Sequence, residues 1–231
     1  MFRVILWDID GTLLDFEKAE EAGIRGCFEK FNLGECTEEM LDVYKKINRR
    51  YWLMLERGEI EKPVLLVQRF EDFLDAYGIG SSVAAEFNAE YQLRLGDTVV
   101  FCEHALETVL ELQGKVLQCA VTNGTKVAQD RKLKNSGLDK ELDHIFISEE
   151  VGVEKPNKAF FDTVFAKIGS VAPEEVLIVG DSLTSDIQGG INVGIKTCWF
   201  NPKGLENTSG LEPDYEIRDI GEVLKLTNLQ E

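Results

Sequence analysis

Val4-Ile5-Leu6-Trp7-Asp8-Ile9-Asp10-Gly11-Thr12-Leu13-Leu14 is the stretch whose reading decides the fold. Four apolar residues run without polar alternation, which fits a strand buried on both faces at the centre of a parallel sheet. Asp8 then falls at the strand's carboxyl end and Gly11 lets the chain turn away. Open α/β sheets bind ligands in the crevice outside those ends. If the backbone stays extended, Asp8 and Asp10 point the same way, because residues i and i+2 share a face. Two carboxylates held that close call for a cation or a shared proton. A solvated strand end, with Thr12 capping a helix, explains the pair as well, so support has to come from elsewhere in the chain.

The composition restricts what that support can be. The chain has 231 residues and 44% hydrophobic content, enough to bury a sizeable core. Its 42 acidic and 25 basic residues give a net charge of -17, which opposes binding to a nucleic acid polymer or an anionic membrane surface. Any phosphate must be met by local positive groups or a metal. The five cysteines are scattered with no CxxC pair, so neither a disulfide framework nor a thiolate zinc site is indicated, and a cytoplasmic setting is expected. No apolar run approaches the ~20 residues of a membrane helix. The two histidines have no ligand-like neighbour at helical spacing, which disfavours histidine-based metal or triad chemistry.

From Phe16 to about Leu95 the pattern is helical: 16–31 with an apolar stripe, a second helix capped by Thr37 and running towards Leu55, a third from Pro63 to Tyr77, and a fourth at 82–95. After Gly96-Asp97 helices and strands alternate, the signature of βαβ units. Strands are expected at 116–121, 145–148, 176–179 and 197–200, with helices at about 103–113, 126–136, 158–168 and 184–191. The expected fold class is therefore α/β: a Rossmann-like, doubly wound parallel sheet made by 1–14 and 97–231, with a helical bundle, 15–96, inserted after the first strand.

Four strand ends or adjacent loops carry compatible groups: Asp8 and Asp10, Thr122, Lys155, and Asp181 with Asp186. Taken singly, Thr122 is a turn hydroxyl, Lys155 a surface lysine, and the last two aspartates helix caps. Together and in this order they share an explanation in phosphate chemistry.

DIDGT (8–12), VTNG (121–124), Lys155 in EKP and GDSLTSD (180–186) resemble the four motifs of the haloacid dehalogenase superfamily, in its phosphatase branch. The resemblance covers the whole chain, with 15–96 matching a helical cap. It implies that Asp8 is a nucleophile forming an aspartyl-phosphate, and that Asp10 protonates the leaving oxygen and later deprotonates the hydrolytic water. It implies Mg²⁺ held by Asp8, Asp181 and the Asp10 backbone carbonyl, with Asp186 orienting that site from behind. Thr122 and the amides near Asn123 would bind phosphoryl oxygens, Gly11 would line the same loop, and Lys155 would neutralise charge. The cap is expected to open and close about hinges near Asp15-Phe16 and Gly96-Asp97.

Asn48-Arg49-Arg50-Tyr51-Trp52, Gly58-Glu59-Ile60, Arg69-Phe70, DSLTSDIQGG and TCWFNP resemble the bacterial pyrimidine 5'-nucleotidases, although that group often has an acidic residue where this chain has Gly11. The implied partner is a small-molecule phosphomonoester, a nucleotide by this resemblance, handled by a monomer or homodimer. Trp52 reads as core, with base stacking as the alternative, and Arg69 could meet a ribose or phosphate. A sugar phosphate or an acylated sugar-acid phosphate would suit the same core, as would a phosphomutase with a second phosphate site. A non-catalytic module on this scaffold would be expected to lose Asp8 or Asp10.

Overall fold

In the computed structural model, which describes residues 1–227, six strands form one sheet: β1 Val4–Trp7, β2 Leu117–Thr122, β3 His144–Ile147, β4 Val176–Gly180, β5 Lys196–Phe200 and β6 Tyr215–Ile217. Their order is β3-β2-β1-β4-β5-β6 and every pairing is parallel. The chain winds outward in one direction from β1 and in the other from β4. Those two strands pair at the sheet's centre in the register Val4 with Val176 to Trp7 with Val179. The gap beyond their carboxyl ends is the topological switch point, where the connections leave on opposite faces and a crevice opens.

The unbroken apolar runs follow from burial on both faces. Val4, Leu6, Cys119, Val121, Val176 and Ile178 pack with Phe160, Phe161 and Val164 on one side. Ile5, Trp7, Ala120, Leu177 and Val179 pack with Ala105, Val109 and Leu112 on the other. Burying one such side chain contributes roughly 1.5–3 kcal/mol.

The chain divides into two compact units, Met1–Phe16 with the chain from Val99 onward, and Glu17–Thr98. Each crossing lies two residues beyond the boundary expected from composition. The outgoing and returning segments pair with each other, Asp15 N–H donating to Val100 O at 2.8 Å and Cys102 N–H to Leu13 O at 3.0 Å.

The second unit is built from α1 Phe16–Lys30, α2 Glu38–Glu56, α3 Lys62–Ala76 and α4 Ala84–Asp97. Thr37 caps α2 by accepting the Met40 N–H, and a proline stands in the first turn of α3. Its interior is aromatic: Tyr44 stacks on Phe70 at 5.2 Å, and Phe70 meets Phe87 and Tyr91 at 4.9 and 5.1 Å. Through this core runs a polar chain. Arg69 Nη1 donates to Asn48 Oδ1 at 2.7 Å, Asn48 Nδ2 donates to Glu20 Oε1 at 2.7 Å, and Arg69 Nη2 donates to Asn88 Oδ1 at 3.2 Å. Arg69 is thus a buried structural centre, with both terminal nitrogens engaged inside the bundle, rather than an exposed anion receptor. Trp52 is partly buried and packs against Tyr51, Leu55 and Leu65.

In the first unit α5 Ala105–Leu112, α6 Lys126–Ser136, α7 Leu138–Glu141, α8 Ser148–Val151, α9 Lys158–Ile168, α10 Gln188–Val193 and α11 Val223–Leu226 complete the fold. The one-turn helices α7 and α8 lie where no periodicity can be read, since four residues hold barely one turn. The helix expected at 184–191 is in fact two pieces: a wider π turn, Leu183–Ile187, leads into α10. The wide turn has a local cause. The Ile187 N–H reaches Ser182 O at 3.2 Å while the Asp186 carboxylate is drawn back to the Ser182 N–H at 3.1 Å. Among the described residues, no helix is long and apolar enough to cross a membrane.

Candidate active site

Asp8 follows the last residue of β1 and its carboxylate is fixed on both oxygens. Lys155 Nζ donates to Oδ1 at 2.8 Å, and Thr12 Oγ1 donates to Oδ2 at 3.1 Å. Thr12 in turn accepts the Asp181 N–H at 3.1 Å, so one hydroxyl ties the β1 turn to the end of β4. Thr12 is the residue that pattern reading undervalued: the sequence offers it only as a helix cap, in the alternative reading of the strand end, and gives it no role within DIDGT, whereas its hydroxyl bridges the first and fourth motifs.

Lys155 lies fully inside the protein in the loop before α9. Its ammonium donates to Asp8, to Asp186 Oδ1 at 2.6 Å and to Val121 O at 2.6 Å, which uses all three protons. Burial pulls its pKa down, but the charges of Asp186 and Asp8 outweigh that and hold the ammonium above its usual range. The backbone of Lys155 is secured by Asn123, whose Oδ1 accepts the Lys155 N–H at 2.9 Å and whose Nδ2 donates to Lys155 O at 2.9 Å. The Asn123 side chain is thus committed to the lysine, and only its peptide is left for the anion contact expected there. Thr122, at the end of β2, is buried, and its Oγ1 accepts the Gly124 N–H at 3.1 Å.

Asp8, Asp181 and Asp186 bring one carboxylate oxygen each to within 4.8 Å of one another. Burial pushes the Asp8 carboxyl up to about 7, against the pull of Lys155, and the Asp186 charge adds to the rise. The packing around Asp181 and the charges of Asp8 and Asp186 push its carboxyl up as well, an effect that solvent damps because the residue is exposed. Three carboxylates face one ammonium, so full ionisation leaves two negative charges without a partner. An all-oxygen cluster with that imbalance suits a hard divalent cation. Asp186 is the least available of the three, since Lys155 takes Oδ1 and the Ser182 N–H takes Oδ2.

Two glycines give these carboxylates room. Gly11 has φ +91, and a Cβ there would come within 2.6 Å of Asp181 Oδ2. A Cβ on Gly180 would overlap the Asp186 carboxylate outright. The Asp181 backbone is held from the other side, its carbonyl accepting Trp199 Nε1–H at 2.9 Å.

Asp10 is placed differently. Its carboxylate, two residues along the turn, is met by Gln129 Nε2 at 2.5 Å and by the Lys132 ammonium, both from α6. Neither α6 residue was singled out by sequence reading. The signal available was their spacing: i and i+3 on a helix that starts directly after VTNG.

This crevice, with an aspartate pair at the first strand end, a hydroxyl at the second, a buried lysine and a further aspartate pair at the fourth, defines a hydrolase site of the haloacid dehalogenase type. The family model described as haloacid dehalogenase-like hydrolase matches residues 5–200, and the chain belongs to that family. It is 35% identical to the HAD-hydrolase YfnB of Bacillus subtilis over 99% of this chain and 97% of that one. The pyrimidine 5'-nucleotidase PynA of Streptococcus pneumoniae is 32% identical, covering 96% of this chain and 94% of its own. The pyrimidine 5'-nucleotidase YjjG of Escherichia coli is 30% identical, covering 96% of each. The crystal structure of YfnB bound to magnesium, for which interdomain movement is described, superimposes with a TM-score of 0.93 at 36% identity over 99% of both chains.

Proposed function

We propose that this protein hydrolyses phosphate monoesters through a phosphorylated Asp8, with Mg²⁺ in the site and pyrimidine nucleoside 5'-monophosphates as substrates. The observation that carries the reading is the Asp8 carboxylate, fixed by Lys155 and Thr12 at the mouth of the switch-point crevice beside Asp181. An Asp8 oxygen attacks phosphorus and the bond from phosphorus to the ester oxygen breaks. Asp10 gives its proton to the departing alkoxide. Water then attacks the phosphorus of the acyl phosphate and passes its proton to Asp10, and inorganic phosphate leaves with Asp8 restored.

The electrostatics sets what else is needed. A carboxylate approaching a phosphate dianion is opposed by about 4 kcal/mol per charge pair at 4 Å for an effective dielectric of 20. Lys155 offsets part of this and favours the ionised form of Asp8 against the burial that raises its carboxyl. Asp8, Asp181 and the Asp10 carbonyl would hold Mg²⁺, which when bound neutralises charge on the phosphoryl oxygens. Asp186 anchors Lys155 and the loop carrying Asp181. Thr122 and the peptide of Asn123 are assigned to the phosphoryl oxygens.

The substrate class rests on the two nucleotidases named above and on the likeness of NRRYW and DSLTSDIQGG to that group. Glu17–Thr98 is read as the cap that selects substrate. The test is phosphate release from a panel of nucleoside monophosphates and sugar phosphates, with Mg²⁺ and with EDTA. Metal-dependent turnover preferring dUMP, dTMP or UMP is the expected result. Preference for a sugar phosphate would overturn the substrate class and keep the Asp8 chemistry, and turnover undiminished by EDTA would overturn the metal.

A further inference from the structure

Asp10 is clamped. One face of α6 presents Gln129 and Lys132, one turn apart, and each takes a different oxygen of the Asp10 carboxylate: Gln129 Nε2 donates to Oδ2 at 2.5 Å and Lys132 Nζ to Oδ1. Both donors are 1% exposed, although glutamine and lysine ordinarily lie at the surface. Burying a lysine without a partner is costly, so its placement here depends on Asp10. The Lys132 ammonium lies 5.6 Å from the centre of the Phe16 ring, which closes it off on one side. Gly124, in the turn that launches α6, leaves space for Gln129: a Cβ there would overlap the Gln129 amide nitrogen.

The sequence offers a reason for such a device. Asp10 stands just before the positive-φ Gly11 rather than inside a strand, and its carboxylate has no share in the Lys155, Thr12 and Asp186 network that fixes Asp8. A proton-transfer group needs its orientation held to within about 10–20° and 0.5 Å to be effective. Two donors on two oxygens fix both the rotation of the carboxyl plane and its position. A single donor would leave that plane free to turn.

We infer that Lys132 and Gln129 are positioning residues for this reaction, acting through Asp10 to aim its carboxyl group at the leaving oxygen and the hydrolytic water. The inference rests on the acid–base role proposed for Asp10. Neither side chain touches the phosphoryl group in this scheme; both act at one remove. Gln129 Oε1 is buried without a partner, so the amide makes its one bond on the Asp10 side, in keeping with a residue retained for that contact.

The experiment measures kcat/KM for aryl phosphates whose leaving groups run from 4-nitrophenol to phenol and 4-methoxyphenol. Protonating the leaving oxygen matters little for nitrophenolate and increasingly for the poorer leaving groups. Lys132→Met and Gln129→Leu are expected to cost about tenfold or more with 4-methoxyphenyl phosphate and less than about threefold with 4-nitrophenyl phosphate. Lys132→Arg should recover part of the loss. In an Asp10→Asn background, Lys132→Met should have no further effect, because the group it acts through is gone. A uniform loss across the series, or an undiminished effect of Lys132→Met on top of Asp10→Asn, would show a structural role and overturn the inference. Asp10→Asn itself is the control for the underlying reading: if it lacks the leaving-group dependence, the acid role of Asp10 fails, and the inference fails with it. Gln129→Leu keeps the test decisive should Lys132→Met not fold, since it removes a neutral donor and strands no charge.

Discussion

Lys155 Nζ lies 2.8 Å from Asp8 Oδ1 although 147 residues separate the two in the chain. The same ammonium binds Asp186 at 2.6 Å, so the lysine joins the first and fourth strand ends into one electrostatic unit. The consequences for activity and stability can be separated.

Asp8→Asn removes the attacking oxygen's charge with almost no change in volume. Lys155 retains Asp186 and Val121 O, so the fold should persist. Turnover is expected to fall by more than about 10⁴-fold, as for loss of a nucleophile elsewhere. Phosphate release together with a thermal melt checks both halves; appreciable turnover would remove Asp8 from the role.

Lys155→Met should be a stability mutation as well as a catalytic one. It leaves the Asp8 and Asp186 carboxylates buried without their cation, a situation that costs about 3–5 kcal/mol. Urea denaturation should show the midpoint moving down, and added Mg²⁺ should recover part of the shift by supplying charge. An unchanged midpoint would mean that the buried pair contributes nothing net.

Gly11→Ala adds a Cβ at φ +91 and drives it towards Asp181 Oδ2. The backbone term alone is of order 1–3 kcal/mol, and the displaced carboxylate is a proposed metal ligand. The expected outcome is a raised apparent Kd for Mg²⁺ by calorimetric titration, larger than the accompanying fall in Tm accounts for. Wild-type affinity would show that Asp181 can move aside freely.

Glu20 links the helical unit to pH. Burial pushes its carboxyl up to about 7 in spite of the bond from Asn48. The folded protein therefore holds a proton that the unfolded chain releases near 4.5, and this contribution to stability is full below that value and is lost as pH rises towards 7. The loss amounts to about 3 kcal/mol at most. Glu20→Gln should flatten the stability profile between pH 5 and 8 and gain at the alkaline end, read by denaturation at each pH. An identical slope in the variant would refute the assignment.

The cysteines Cys27, Cys119 and Cys198 have thiols pushed up to about 12 by burial. In the native state they should resist alkylation by iodoacetamide at pH 8, and all should react in urea. Rapid native labelling at any of the three would contradict that burial.

Much of this was legible before the fold. The runs 4–7 and 176–179 carry no alternation because both faces of those strands are covered, which together with their shortness marks them as buried strands, and the glycine or aspartate after each marks where the chain must turn. The helical unit was readable from its 3.6-residue stripes and from Thr37 and Pro63. The short helices α7 and α8 and the π turn at Leu183–Ile187 were not, because a single turn has no period and the π turn follows from Asp186 bending back to Ser182. Arg69, which the resemblance offers as a contact for a ribose or phosphate, is held inside the bundle by Asn48 and Asn88, and these partners lie 21 and 19 residues away, beyond the reach of local pattern.

The sequence by itself determined the parallel α/β core, the helical insertion and the identity of the groups at the strand ends, since those depend on local pattern and residue chemistry. Only the tertiary structure decided who meets whom. Lys155 goes to Asp8 and Asp186, Asn123 goes to the lysine's own peptide, Thr12 spans two motifs, and Gln129 with Lys132 hold Asp10. These pairings depend on strand order and on which faces of the helices turn towards the switch point. They are long-range consequences of burying both faces of the sheet, and no window of neighbouring residues contains them.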